Sequence, residues 1–113
     1  MSKTELVISF EIDGLHFWPN APDMFKEFRQ IHRHLFKVIC FLPTVESNDP
    51  TRREVELWSL RQSVIQFLKA DFGEEPVNFG SMSCEGISDY LKEHWNFSSV
   101  FVGEEWFLGA MVS

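Results

Sequence analysis

The sequence predicts an α+β domain in which an antiparallel four-stranded sheet carries two helices on one face, in the order ββααββ. Three observations carry that prediction. Residues 5–12 and 33–42 are rich in β-branched and aromatic side chains and are bounded by turn residues, as strands are. Between residues 59 and 95, apolar side chains twice recur at three- and four-residue spacings. The strand-like and helical stretches are segregated instead of alternating, which places both helices on one face of an antiparallel sheet. A chain of 113 residues admits one domain, 1–113, with a single modest core, and no repeat or linker divides it.

Taken in order, residues 5–12 read as the first strand, and Asp13-Gly14 ends or bends it. Two prolines, an Asn and an Asp mark the start of the 17–31 stretch as loop, and residues 23–28 form a helical turn with Asp23 as cap. The second strand runs over 33–42 and stops at Pro43. Residues 44–50 have turn chemistry and 53–58 resume strand character. Leu60, Val64, Phe67 and Leu68 then mark an amphipathic helix, with Ser59 as cap and Gly73 at the left-handed C-terminal position. After a loop over 74–82, Ser83 precedes a second helix through Ile87, Tyr90 and Leu91 to about Trp95. Residues 99–103 alternate as a strand, Glu104-Glu105 interrupts the pattern, and 106–112 form the last strand.

The formal charge of −7 argues against nucleic acid as a partner, because phosphate binding relies on Lys and Arg. Twelve Phe and four Trp are a heavy aromatic load for so small a domain. Part of that surface is expected in a subunit interface or a ligand pocket, and the open sheet edges point to a homo-oligomer. Cys40 and Cys84 form no C-x-x-C pair, the N-terminus has no secretory pattern, and no run reaches membrane-spanning length. The expectation is a cytoplasmic protein without membrane contact, in which Asn96-Phe97-Ser98 matches the glycosylation pattern by chance.

Chemistry concentrates at His32-Arg33-His34. On a strand, alternate residues share a face, so both imidazoles can reach one metal ion, and His16 at the end of the first strand supplies a third. Three neutral imidazoles with an open fourth position are what a catalytic Zn2+ site needs. The competing explanation of an isolated H-x-H is the polar face of an exposed strand.

The strand-end His16 and the His32-Arg33-His34 pair resemble the 6-pyruvoyl-tetrahydropterin synthase and 6-carboxytetrahydropterin synthase family, in which a strand-end His and H-G-H bind zinc. Further matches follow in family order over nearly the whole chain. Residues 53–61 correspond to a strand end, an acidic residue and a helix start, Ser83-Cys84-Glu85 to Thr-x-Glu, and Val100-Phe101-Val102-Gly103-Glu104 to V-x-V-x-E. The resemblance implies a T-fold-like domain whose subunits join edge to edge with active sites at their junctions. It implies zinc held by His16, His32 and His34, and a small-molecule pterin-like ligand bound by Glu104, Ser83 and Phe28. The family removes a proton beside a carbonyl of 7,8-dihydroneopterin triphosphate, and its terminal Glu anchors the ring. Glu104 fills that position, with the adjacent Glu105 as the alternative.

The sequence also departs from the family. Phe28 stands where the nucleophilic Cys belongs, and Arg29 stands where some relatives place a Glu. Asp71-Phe72 replaces an Asp-His pair, and Arg33 replaces the middle Gly of H-G-H. Candidate substitute proton carriers are Glu27, Asp71 and His94, which in ordinary roles are a loop carboxylate, a helix-end carboxylate and a dipole-complementing His. Cys84 reads first as a small buried residue near the helix start, and as a relocated nucleophile only if that position lowers its pKa. Three readings follow: a zinc-dependent lyase with rebuilt proton transfer, a non-catalytic pterin-binding or scaffold protein, and an acidic interaction domain without metal.

Overall fold

The structure, a computed structural model, describes residues 4–44, 49–53, 56–74, 76–105 and 108–113. Strand β1 (Glu5–His16) pairs antiparallel with β2 (His32–Pro43) along its whole length, and a 3₁₀ segment (Asp23–Arg29) lies in the connection. Helix α1 (Leu57–Phe72), strand β3 (Val77–Asn78), helix α2 (Cys84–His94) and strands β4 (Ser99–Glu104) and β5 (Leu108–Val112) follow. The sheet order is β3-β1-β2-β4-β5.

The fold class is α+β, as predicted, but the sheet is five-stranded and mixed, not four-stranded and antiparallel. The additional strand, β3, runs parallel to β1 through Gly14↔Val77 and Leu15↔Asn78. Two residues are too short to show a period-two pattern, so only the neighbouring strand reveals β3. β1, β2, β4 and β5 are the four antiparallel strands expected.

Side chains of even-numbered residues in these strands turn to one face. Ile8, Phe10 and Ile12 of β1, Phe36, Val38 and Cys40 of β2, and Val100 and Val102 of β4 pack there against Val64 and Leu68 of α1 and Ile87 and Leu91 of α2. Both helices therefore cover the same face, and fully burying each large aliphatic or aromatic side chain contributes about 1.5–3 kcal/mol. Among the described residues no helix covers the opposite face, and Val7, Leu35 and Met111 are exposed there. Among the described residues, no helix is long and apolar enough to cross a membrane.

Several local expectations change in the folded chain. β1 does not stop at Asp13-Gly14 but continues to His16. Asp13 faces one side and clasps Arg33, while Gly14 faces the core, where an added Cβ would lie 2.9 Å from the Phe36 ring and 3.0 Å from Phe79. Asp23 does not cap the 3₁₀ segment; its carboxylate accepts from Arg29, whose Nε also donates to the carbonyl of Ala21. Arg29 thus closes the loop. Leu57 and Trp58, expected in a strand, begin α1, because the carboxylate of Glu56 caps it by accepting from the Ser59 N–H. Ser59 itself is inside the helix. Ser83 caps α2 through the Gly86 N–H, as expected, and Gly73 ends α1 with positive φ, though at φ 89° and ψ 168° it is extended and not left-handed helical. Residues 45–48 of the predicted turn, 54–55 of the predicted third strand and 106–107 of the last strand lie outside the described residues.

Candidate metal centre

The register of β1 and β2 builds the site. His16 lies directly opposite His32, and Gly14 opposite His34, so all three histidines share the core face at the end of the sheet. One donor nitrogen from each lies within 4.8 Å of the others. Four tetrahedral ligands at about 2.0–2.1 Å from an ion would stand roughly 3.3 Å apart, within the 4.8 Å that spans these donors.

Each imidazole is oriented from behind. Nδ1 of His16 bonds to the carbonyl of Met82 at 3.0 Å, Nδ1 of His32 to the carbonyl of Gln30 at 3.0 Å, and Nδ1 of His34 to Oε1 of Glu105 at 3.1 Å. Carbonyls and carboxylates only accept, so Nδ1 carries the proton in each ring and donates it. Nε2 is left as the electron-pair donor, the arrangement that orients metal-binding histidines. Nε2 of His16 and of His34 are both buried and, among the described residues, have no aligned hydrogen-bond partner. Donor set and orphaned nitrogens together fit a single divalent ion.

Glu104 closes the fourth side. The register Phe36↔Glu104 puts it on the same face, with Oε1 2.9 Å from Nε2 of His16 and Oε2 3.5 Å from Nε2 of His34. The 2.9 Å approach is short but poorly directed, which is why Nε2 of His16 remains without an aligned hydrogen bond. Burial disfavours a charge on His16, but the close contact with Glu104, the Met82 carbonyl and the charge of Glu104 outweigh it and raise its pKa. The same contact with His16 pulls the Glu104 pKa down against burial, helped by the charges of the three histidines.

A cavity of about 460 Å³ opens beside these groups. His16, His32 and Glu104 line it, as do Phe28 and Ser83, so the three residues expected to hold a ring come together on its wall. Glu104 and Glu105 separate cleanly: Glu104 faces the cavity, while Glu105, at φ 56°, backs His34. Phe28 lies with its ring 5.4 Å from His32 and continues outward in a stack with Phe25 and Trp18, each step 6.1 Å. Trp18 also lines the cavity and was not foreseen, since a loop Trp carries no pattern. Met82, which orients His16 through its backbone, was equally invisible.

Glu27, Asp71 and His94 do not line this cavity. Glu27 is exposed on the 3₁₀ segment. Asp71 accepts from the Tyr90 hydroxyl, and the His94 ring lies 4.2 Å from the Tyr90 ring with Nδ1 donating to its carbonyl at 2.8 Å. Phe72, where the family has a His, packs against Phe79 and Tyr90. Cys84 lines the cavity, but burial and the neighbouring Glu104 carboxylate push its thiol up to about 12. Its place at a helix start therefore does not activate it.

No protein-family model matches the chain, and no curated protein matches it either.

Proposed function

We propose that this chain is a T-fold-like, zinc-dependent protein of the 6-pyruvoyl-tetrahydropterin synthase type, acting on a pterin or related heterocycle. The observation that carries the reading is the oriented triad: three imidazoles with Nδ1 bound from behind and one donor nitrogen of each within 4.8 Å of the others, beside an aromatic-walled cavity. Three neutral nitrogen donors with an open position suit zinc, which when bound polarises a substrate carbonyl or hydroxyl and makes the adjacent proton more acidic. Phe28 supplies a flat apolar surface for the ring, the Glu104 carboxylate accepts from paired ring N–H groups, and the half-enclosed cavity limits water. Two free thiols agree with a cytoplasmic setting. The exposed apolar side chains of the uncovered sheet face support a homo-oligomer.

A second reading, pterin binding without turnover, is favoured by the position of the acid–base candidates. Phe28 carries no proton, and Glu27, Asp71 and His94 do not line the cavity. Each acid or base normally supplies about 10²–10⁴ in rate. Elemental analysis of the purified protein, with and without the paired changes His32→Ala and His34→Ala, tests the metal. Bound zinc lost in the double variant supports the reading, and stoichiometric zinc retained by it ends the reading. Turnover of 7,8-dihydroneopterin triphosphate decides between the enzyme and the binding protein.

A further inference from the structure

We propose that Glu104 is itself a metal ligand, whose carboxylate closes the coordination sphere around the ion held by His16, His32 and His34 and leaves it when a ring with paired N–H donors binds. The inference rests on the metal reading above and adds a fourth protein ligand and an exchange step to it.

The side from which Glu104 approaches carries the argument. A carboxylate that merely orients a metal-bound His sits behind the ring, at Nδ1, and those three positions are already filled by the Met82 carbonyl, the Gln30 carbonyl and Glu105. Glu104 lies instead on the Nε2 side, where the ion belongs. Its two distances to Nε2, 2.9 Å and 3.5 Å, bracket the roughly 3.3 Å that separates neighbouring ligands on a tetrahedral ion. Nε2 of His16 and of His34, both buried, have no aligned hydrogen bond among the described residues, and an ion between them and the carboxylate would satisfy both nitrogens.

The carboxylate is also free to leave. Its side chain is 27% exposed, and it lines the cavity in which a ring would lie. A heterocycle presenting adjacent N–H groups would draw the Glu104 carboxylate away by paired hydrogen bonds and leave the ion held by His16, His32 and His34 open to it. Ligands without such a pair leave the ion closed, so the exchange selects amino-heterocycles over simple carbonyl compounds.

Cobalt(II) in place of zinc, in the full chain, reads the coordination directly. Glu104→Cys is expected to show a thiolate-to-cobalt charge-transfer band in the near ultraviolet, because position 104 reaches the ion. Glu104→Gln is expected to bind cobalt and zinc about 10-fold more weakly or worse, measured by chelator competition. Addition of a pterin to the wild-type cobalt protein is expected to change its visible spectrum as the carboxylate leaves. Wild-type protein that binds no cobalt would overturn the metal reading and this inference together. Cobalt binding with no thiolate band in folded Glu104→Cys, or with unchanged affinity in Glu104→Gln, overturns this inference alone. If Glu104→Cys does not fold, the affinity of Glu104→Gln decides. A pterin that binds without altering the visible spectrum overturns the exchange step.

Discussion

His16 and His32 face each other across β1 and β2, with ring centroids 4.5 Å apart and planes inclined at 67°. Their backbones are directly paired, so the spacing of the two donors is set by the ladder between strands, not by side-chain freedom. His34 joins from the next position on the same face, with its ring 4.9 Å from His32 and 5.3 Å from His16. A site built on paired strands is more precise than one built on loops, and it is the rigid part of this molecule's chemistry.

The contact behind His34 is open to test. Glu105 accepts from its Nδ1 and holds both tautomer and ring orientation. Glu105→Gln is expected to weaken metal binding by about 10–100-fold without changing the fold, as loss of an outer-shell partner does. Chelator competition measures the affinity, and circular dichroism checks the fold.

Without metal, His16 and Glu104 make the site pH-sensitive. The His16 pKa is raised above its ordinary 6.5 by Glu104 and the Met82 carbonyl against the opposing effect of burial, so its stabilisation is complete below 6.5 and lost as pH rises through the folded value. The Glu104 pKa is lowered from 4.5, chiefly by its close contact with His16, so its stabilisation is present above 4.5 and lost as pH falls through the folded value. In the presence of a chelator, the difference in melting temperature between wild type and Glu104→Gln should be largest between 4.5 and 6.5 and decline on both sides. A difference independent of pH would mean that the pair does not form. Metal requires neutral imidazole, so its affinity rises over the range in which the pair is lost.

Cys84 and Cys40 should resist alkylation in the native protein. Burial pushes both thiols up to about 12, with the Glu104 carboxylate adding to the effect at Cys84. At pH 8 roughly one thiol in ten thousand is then ionised, and the thiolate is the reactive form. Mass spectrometry after iodoacetamide treatment should find little modification until denaturant is added. Rapid labelling of Cys84 in the folded protein would restore it as a nucleophile.

Gly14→Ala tests how tightly the metal-bearing end of the sheet is packed. The new Cβ meets Phe36 and Phe79, and overpacking of this kind costs about 1–3 kcal/mol. Phe36 also stands edge-on to His16 and His34, at 5.1 and 5.8 Å, so weaker metal binding should accompany the loss of stability. Urea unfolding measures the first effect and chelator competition the second.

What the sequence determined by itself was local or periodic. Ser83 and Gly73 mark helix ends through cap chemistry that needs no distant partner, and alternation along β2 places His32 and His34 on one face. Glu56 is not legible as a cap from sequence, because Leu57 and Trp58 have strand preferences of their own and only the folded chain makes them the first turn of α1. Tertiary structure alone decided the rest. Phe36 and Phe79 occupy the space beside Gly14, so an apparent strand end became mid-strand, and β3 exists only because β1 offers it a free edge. The register of β4 on β2 turns Glu104 towards the imidazoles and leaves Glu105 behind His34, a choice that one residue of slip would reverse. The packing of α2 against α1 gives Asp71 to Tyr90, outside the cavity. These outcomes depend on which distant backbone arrives alongside, and no stretch of sequence encodes that on its own.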